Sequence, residues 1–224
     1  MKKIGVYIAL IAFAATASAQ TRLQAQKSAK TNSEAKDLLE VVSSKVESYD
    51  NIVIAFEYTL RDPDANMNRE TRGTISLKGE EYMLDLMGVK RLFDGKKIYT
   101  IAPEDEEITI STYDPENDSA FTPSKMLVFY KNGYRSQMDI TQNVQGRTIQ
   151  YVKLSPTAKD SEVKQILLGL DKQTKHIYTM IQKMKDGSQI TIKINSFKTN
   201  QPLSESLFTF KEDKYEGYYI NRLD

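Results

Sequence analysis

The 224-residue chain has no cysteine, no tryptophan and a single histidine, His176. The absent cysteines exclude disulfides and thiol chemistry. A tetrahedral zinc site needs several His or Cys ligands, and only one candidate exists. A Ser-His-Asp triad would have to use His176, which follows Lys175 at the start of an expected strand, and there is no G-x-S-x-G elbow. The single histidine reads as an exposed strand-end residue. No glycine-rich phosphate loop occurs, and no carboxylate pair stands out among the acidic residues. Charge of one sign is also missing. Thirty-one Lys and Arg balance thirty Asp and Glu, interspersed along the chain, so no polybasic face argues for nucleic acid or an anionic membrane. No catalytic residue, metal site or cofactor is expected. What remains is burial: Tyr, Phe, Leu, Ile and Met must supply one large core.

One short apolar run is present, at the N-terminus. Met1–Lys3 is basic, Ile4–Ala14 apolar, and Ala17-Ser18-Ala19 a small-residue cleavage signal before Gln20. The run is shorter than the roughly 20 apolar residues of a membrane anchor. The expectation is a signal peptide over 1–19, removed on export through an inner membrane. Its loss takes Lys2 and Lys3 with it and moves the formal charge from +1 to about −1. Residues 20–30 read as a polar, flexible leader, and 31–224 as one domain.

Thr31-Asn32-Ser33-Glu34 matches a capping box, with Thr31 as N-cap. Ala35, Leu38, Leu39, Val42, Val46 and Tyr49 then follow at helical spacing, which predicts an amphipathic helix of about four turns covering a sheet face. Strands follow. Ile52–Arg61 alternates Ile52, Ile54, Phe56 and Tyr58 on one face; Asp62–Asn68 reads as a loop. Gly73–Pro103 reads as four short strands with tight turns: Ile75 and Leu77, then Tyr82, Leu84 and Leu86, then Val89–Phe93, then Ile98–Ile101 after the Asp94-Gly95 hairpin signal. Ile108–Tyr113 is another strand after an acidic hairpin tip, Glu104–Glu107.

Asp114–Gly133 breaks the rhythm. Asp114–Asp118 lacks the glycine and distal glutamate of a calcium loop. Thr122-Pro123 looks like an N-cap with proline at N1, opening a short apolar helix over Ser124–Tyr130. Rich in Met126, Leu127 and Phe129, it fits a mobile lid or a plain core plug equally well. Strands resume at Tyr134–Asn143, Arg147–Leu154, Val163–Asp171, Ile177–Lys185 and Gln189–Lys198, and Phe208–Phe210 and Tyr215–Ile220 close the chain. The result is a mainly β (α+β) domain of about ten antiparallel strands with two covering helices. Its apolar sheet face is either a filled core or a ligand cavity, and periodicity does not decide between them.

Gly73–Lys78, then Asp94-Gly95-Lys96-Lys97-Ile98-Tyr99 with Pro103, resembles the G-x-L-x-x-K … DGK-x-aromatic … P signature of the LolA family of periplasmic lipoprotein carriers. The similarity continues at Phe121-Thr122-Pro123, Leu154–Thr157, the hairpins from Val163 to Lys198 and Leu207–Phe210. The resemblance implies an unclosed β-barrel whose apolar cavity holds lipoprotein acyl chains. It further implies a carrier that is loaded by an ATP-driven inner-membrane transporter and delivers to the outer membrane, with the existence of an acceptor there left open; a monomer is expected. Two alternatives remain: a periplasmic binder of another lipid or glycolipid, and a non-catalytic sensor or interaction module on the same fold. The cavity lining expected from alternation is Ile54, Phe56, Tyr58, Ile75, Leu77, Tyr82, Leu84, Leu86, Tyr99 and Ile101, with Met126, Leu127 and Phe129 as lid. The sequence departs from the proteobacterial pattern after Lys78, where Gly79-Glu80 stands in place of Arg-Pro. That arginine latches the lid in the family; Lys78 or Arg72 is expected to replace it, unless apolar contacts alone hold the lid.

Overall fold

The computed structural model describes residues 29–114 and 127–223. Among the described residues there is one α-helix, α1, covering residues 29–47. Its buried stripe is Ala35, Leu39, Val42 and Val46, as the spacing requires. The helix is already formed at Ala29, so Thr31 lies inside it and the capping-box reading does not hold. The chain leaves α1 through Asn51, whose Oδ1 accepts from the Gln201 amide at 2.9 Å and whose Nδ2 donates to the Gln201 carbonyl at 2.9 Å. This pair fixes the helix exit to a segment 150 residues away.

Twelve strands make one sheet among the described residues. They are β1 (Ile52–Asp62), β2 (Met67–Lys78), β3 (Glu81–Leu86), β4 (Val89–Phe93), β5 (Lys97–Ala102) and β6 (Glu107–Thr112). After the break come β7 (Tyr134–Val144), β8 (Arg147–Pro156), β9 (Val163–Asp171), β10 (Ile177–Met184), β11 (Gln189–Thr199) and β12 (Tyr219–Leu223). Their spatial order is β12-β6-β5-β4-β3-β2-β1-β11-β10-β9-β8-β7. Two antiparallel meanders are therefore joined where β1 pairs with β11. The sheet has two free edges, β12 and β7, and does not close into a barrel. Irregularities at Ala55/Phe56, Met138/Thr141 and Ile177/Thr179 bend individual strands, as an extra unpaired residue does.

Three expectations change. The loop expected over Asp62–Asn68 contracts to a turn at 63–66, because β2 pairs with β1 as far as Met67↔Asp62. Asn68–Glu70 are exposed, so no apolar alternation betrays that half of the strand. Phe208–Phe210 is not a strand: 3-10 turns at Glu205–Phe208 and Glu212–Tyr215 precede β12, which runs parallel to β6. Most of the expected helix at Ser124–Tyr130 lies outside the described residues, and its described end is a 3-10 turn, Phe129–Lys131.

Burial falls on both faces of the sheet. The larger apolar cluster joins the α1 stripe to Ile54, Phe56, Ile75, Leu77, Tyr82 and Phe93 on one half, and to Val152, Leu154, Ile166 and Leu168 on the other. We call this the inner face. A second cluster lies on the outer face of β4–β6, where Leu92, Tyr99, Ile101, Ile108 and Ile110 pack beneath Phe208 and its neighbours. Tyr99 stacks on Phe210 with centroids 4.4 Å apart, and Phe210 stacks on Tyr215 at 5.5 Å. The C-terminal segment is thus a strap that covers the outer face of one meander.

Candidate functional site

The inner face is not completely filled. A cavity of about 170 Å³ remains at the centre of the sheet, where the two meanders meet. From one side it is walled by Ile54, Phe56 and Tyr58 of β1, Ile75 and Leu77 of β2, and Leu84 and Leu86 of β3. Leu168, Ile177, Met180, Ile192 and Ile194 of β9–β11 wall it from the other side, and Leu127 and Phe129 also line it. Among the described residues, no charged side chain lines the space. A space lined this way suits a hydrocarbon.

Local sequence explains the floor. Cross-strand register sets Phe56 opposite Gly73 and Ile54 opposite Ile75. A Cβ at Gly73 would lie 2.5 Å from the Phe56 ring, so the ring rests across the glycine. Only the smallest residue lets the strand pass beneath that ring.

Seven of the ten residues expected to line a cavity do so here: Ile54, Phe56, Tyr58, Ile75, Leu77, Leu84 and Leu86. Tyr82 points to the same side but is sealed in the packed part of the cluster, 5.7 Å from the Phe93 ring. Tyr99 and Ile101 are corrected: they face outward, beneath the C-terminal strap. Burial pushes the Tyr99 hydroxyl up to about 12, helped by its 2.8 Å bond to Asp94 Oδ2. Asp94 is raised by burial but lowered more by the Lys97 and Lys96 amides and the Tyr99 hydroxyl, and ends below the ordinary carboxylate range. Asp94 and Tyr99 are therefore a turn clamp, with Gly95 at φ +89° completing the hairpin. Of the lid residues, Leu127 and Phe129 reach the cavity, and Met126 lies outside the described residues. The β9–β11 wall was missed. Ile190, Ile192 and Ile194 alternate visibly in the sequence, but nothing local says that β11 pairs with β1.

His176 is likewise more enclosed than expected. Tyr49 Oη and His176 Nε2 are 2.8 Å apart, and the imidazole stacks on Phe197 at 4.1 Å. Burial, and then Lys45, hold its pKa below the usual histidine value against the pull of Asp171. It ties the end of α1 to the sheet. Among the described residues no group of three His, Asp or Glu side chains could hold a metal, and no helix is long and apolar enough to cross a membrane.

Residues 90–211, more than half of the chain, match the family model "Outer membrane lipoprotein carrier protein LolA". The chain belongs to the LolA family. No curated protein sequence matches it. Among solved structures, an uncharacterized conserved protein from Thermus thermophilus superposes with a TM-score of 0.58 at 9% identity, covering 85% of this chain and 99% of that one. A LolA superfamily protein from Nitrosomonas europaea gives 0.43 at 12% identity, covering 79% and 97%. Lipoprotein LppX of Mycobacterium tuberculosis gives 0.49 at 13% identity, covering 75% and 98%. At these identities the likeness concerns the fold alone.

Neither residue expected to stand in for the family's arginine faces the cavity. Arg72 and Lys78 are turned away from the cavity: they alternate with the inward Gly73, Ile75 and Leu77, so both project from the outer face. Arg72 sits across from Glu57 there. The side chain that ties the 127–131 segment to α1 is Lys131, whose Nζ lies 2.6 Å from Glu47 Oε1. Beside it Tyr130 is buried, its hydroxyl has no hydrogen-bond partner among the described residues, and burial followed by Glu47 and Glu40 raises its pKa. Phe129 meets Tyr134 edge to face at 5.6 Å. Among the described residues, the exposed Lys131–Glu47 pair and apolar contacts of Leu127 and Phe129 bear on this segment beside the cavity.

Proposed function

We propose that the protein is a periplasmic carrier that holds the acyl chains of lipoproteins in this cavity and ferries them from the inner to the outer membrane. The single observation that carries the reading is the cavity itself: wholly apolar walls drawn from seven positions of β1–β3 and five of β9–β11, roofed by Leu127 and Phe129. Such walls offer hydrocarbon contact and nothing for catalysis. Each methylene buried is worth about 0.8 kcal/mol, so affinity grows with the length of chain admitted. The reading takes residues 1–19 as an export signal and 31–224 as one lipid-binding domain. An ATP-driven inner-membrane transporter loads it, and delivery ends at the outer membrane.

At about 170 Å³ the space is of the size that takes one benzene-like molecule, far less than a multiply acylated anchor. The segment bearing Leu127 and Phe129 must therefore yield to cargo, and a weakly tethered roof suits that. The direct experiment is native mass spectrometry of the protein isolated without detergent from the periplasm of its own host. Lipoproteins bound one to one support the carrier reading. A protein that carries nothing, and fails to take up a fluorescent apolar probe, refutes it.

A further inference from the structure

Arg91 stands apart from the otherwise oily inner face. It lies on β4 directly across from Leu84, a cavity-lining residue, and it projects to the same side as Phe93 of the inner cluster. Its guanidinium Nε is sealed from solvent and has no hydrogen-bond partner, and among the described residues no ion pair or other hydrogen bond engages the side chain. A guanidinium is a cation that only donates hydrogen bonds, and here its Nε–H donor is idle. Across the next two strands, on the same face, stand the hydroxyl-bearing Thr100 and Thr109, themselves only partly exposed. The carboxylate on this face of β6, Glu107, is exposed at the strand end and makes no ion pair with Arg91. Arg91 as a whole is partly exposed, so the guanidinium lies at the margin between solvent and the inner face, one strand from the cavity wall, with its Nε buried and in want of an acceptor.

We propose that Arg91 anchors an anionic headgroup, and that the cavity therefore takes amphiphiles ending in a carboxylate or a phosphate as well as neutral acyl chains. This rests on the reading of the cavity as an acyl-chain site. The tail lies along Leu84 and Leu86 and the anionic oxygens accept from Arg91, with Thr100, directly across on β5, as a further donor. A guanidinium fork suits both carboxylate and phosphate oxygens. A triacylated lipoprotein anchor has no such anion, so Arg91 marks a class of ligand distinct from that cargo.

The test compares decanoate, decyl phosphate and decanol by titration calorimetry against the intact delipidated protein and the Arg91→Gln variant. Arg91→Gln is expected to weaken decanoate and decyl phosphate about tenfold, the scale of one charge-assisted hydrogen bond, and to leave decanol within about twofold. With the unaltered protein, raising salt from about 0.05 to about 0.5 M weakens decanoate and not decanol, a readout that does not depend on the variant folding. Equal effects on decanol and decanoate overturn the proposal. So does a salt-independent decanoate affinity. Inorganic phosphate that displaces decanoate at matched ionic strength would place a free anion, rather than a lipid headgroup, on Arg91 and also overturns it. If the unaltered protein binds decanol but Arg91 is silent, only this inference fails; if it binds none of the three, the acyl-chain reading fails with it.

Discussion

Replacing Gly73 by alanine separates the cavity from the stability of the fold. The new methyl group would stand 2.5 Å from Cζ and 2.9 Å from Cε2 of Phe56, and 3.0 Å from the Asp85 carbonyl oxygen. The carbonyl belongs to the paired β3 backbone and cannot retreat far. The ring can, because the cavity lies beyond it. Overpacking a tight core costs about 1–3 kcal/mol, and with open space to receive the ring the lower end applies. For a domain of this length about 1 kcal/mol lowers the melting midpoint by about 2–4 °C. Binding suffers more. The methyl takes on the order of 30 Å³, a sixth of the 170 Å³ present, before any advance of the ring. Losing room for one or two methylenes costs about 0.8–1.6 kcal/mol, or about fourfold to fifteenfold in affinity. The assay is titration with decanol or a fluorescent apolar probe, beside thermal unfolding of the same samples. A Gly73→Ala protein that unfolds slightly early but binds as before would show that ligands do not occupy the space under Phe56.

Three further substitutions address the roof and the turn clamp. Lys131→Met removes the 2.6 Å pair with Glu47; its partners are substantially exposed, so stability changes by about 0–1 kcal/mol, while release of a bound apolar probe in stopped-flow mixing accelerates several-fold. Unchanged release would mean that Lys131 holds nothing over the cavity. The Tyr99 hydroxyl titrates near 12 in the folded protein against about 10 unfolded, so the native state retains its proton longer and the resulting stability is lost as pH rises from about 10 to 12. Tyr99→Phe flattens that alkaline limb in denaturant titrations. Asp94 has the opposite sign: its lowered value gives stability that is present above about pH 4 and lost on acidification, and Asp94→Asn removes that dependence.

Most of the cavity is legible because alternation within one strand places Ile54, Phe56 and Tyr58 together, and tight turns carry the register to Ile75, Leu77, Leu84 and Leu86. The failures have physical causes. Tyr99 and Ile101 alternate as cleanly as the lining residues do, but β5 buries apolar side chains on both faces, Ile98 inward and Tyr99 and Ile101 outward, and such a strand gives no signal for which face is inner. The strap of Phe208, Phe210 and Tyr215 that claims the outer face comes from more than 100 residues later in the chain. The β1–β11 pairing is equally remote, so β9–β11 could be read as strands without being read as cavity wall. Lys131 was hidden for a different reason. Its role depends on Glu47, 84 residues away, and a lysine after an apolar run looks like any solvated charge.

Cavity size and roof together predict how affinity depends on chain length. With the roof in place only about 170 Å³ is available, so the first few methylenes enter without displacing protein, each adding about 0.8 kcal/mol. Leu127 is 8% exposed and Phe129 packs beside it on the inner cluster. Uncovering both forfeits about 3–6 kcal/mol of burial, in addition to the Lys131–Glu47 pair. Four to eight further methylenes, at about 0.8 kcal/mol each, are needed to offset that loss. A homologous series of alkanols should therefore rise steeply in affinity over short lengths, pass through a plateau, and rise again once the chain is long enough to open the roof. Lys131→Met shortens the plateau, because it lowers the cost of opening without touching the cavity wall. A series that climbs evenly through all lengths would mean that Leu127 and Phe129 are not displaced by the ligand, and that long chains leave the cavity by another route. The plateau is also what makes release feasible: a carrier whose roof recloses on its own apolar residues gives back part of the binding energy when cargo departs.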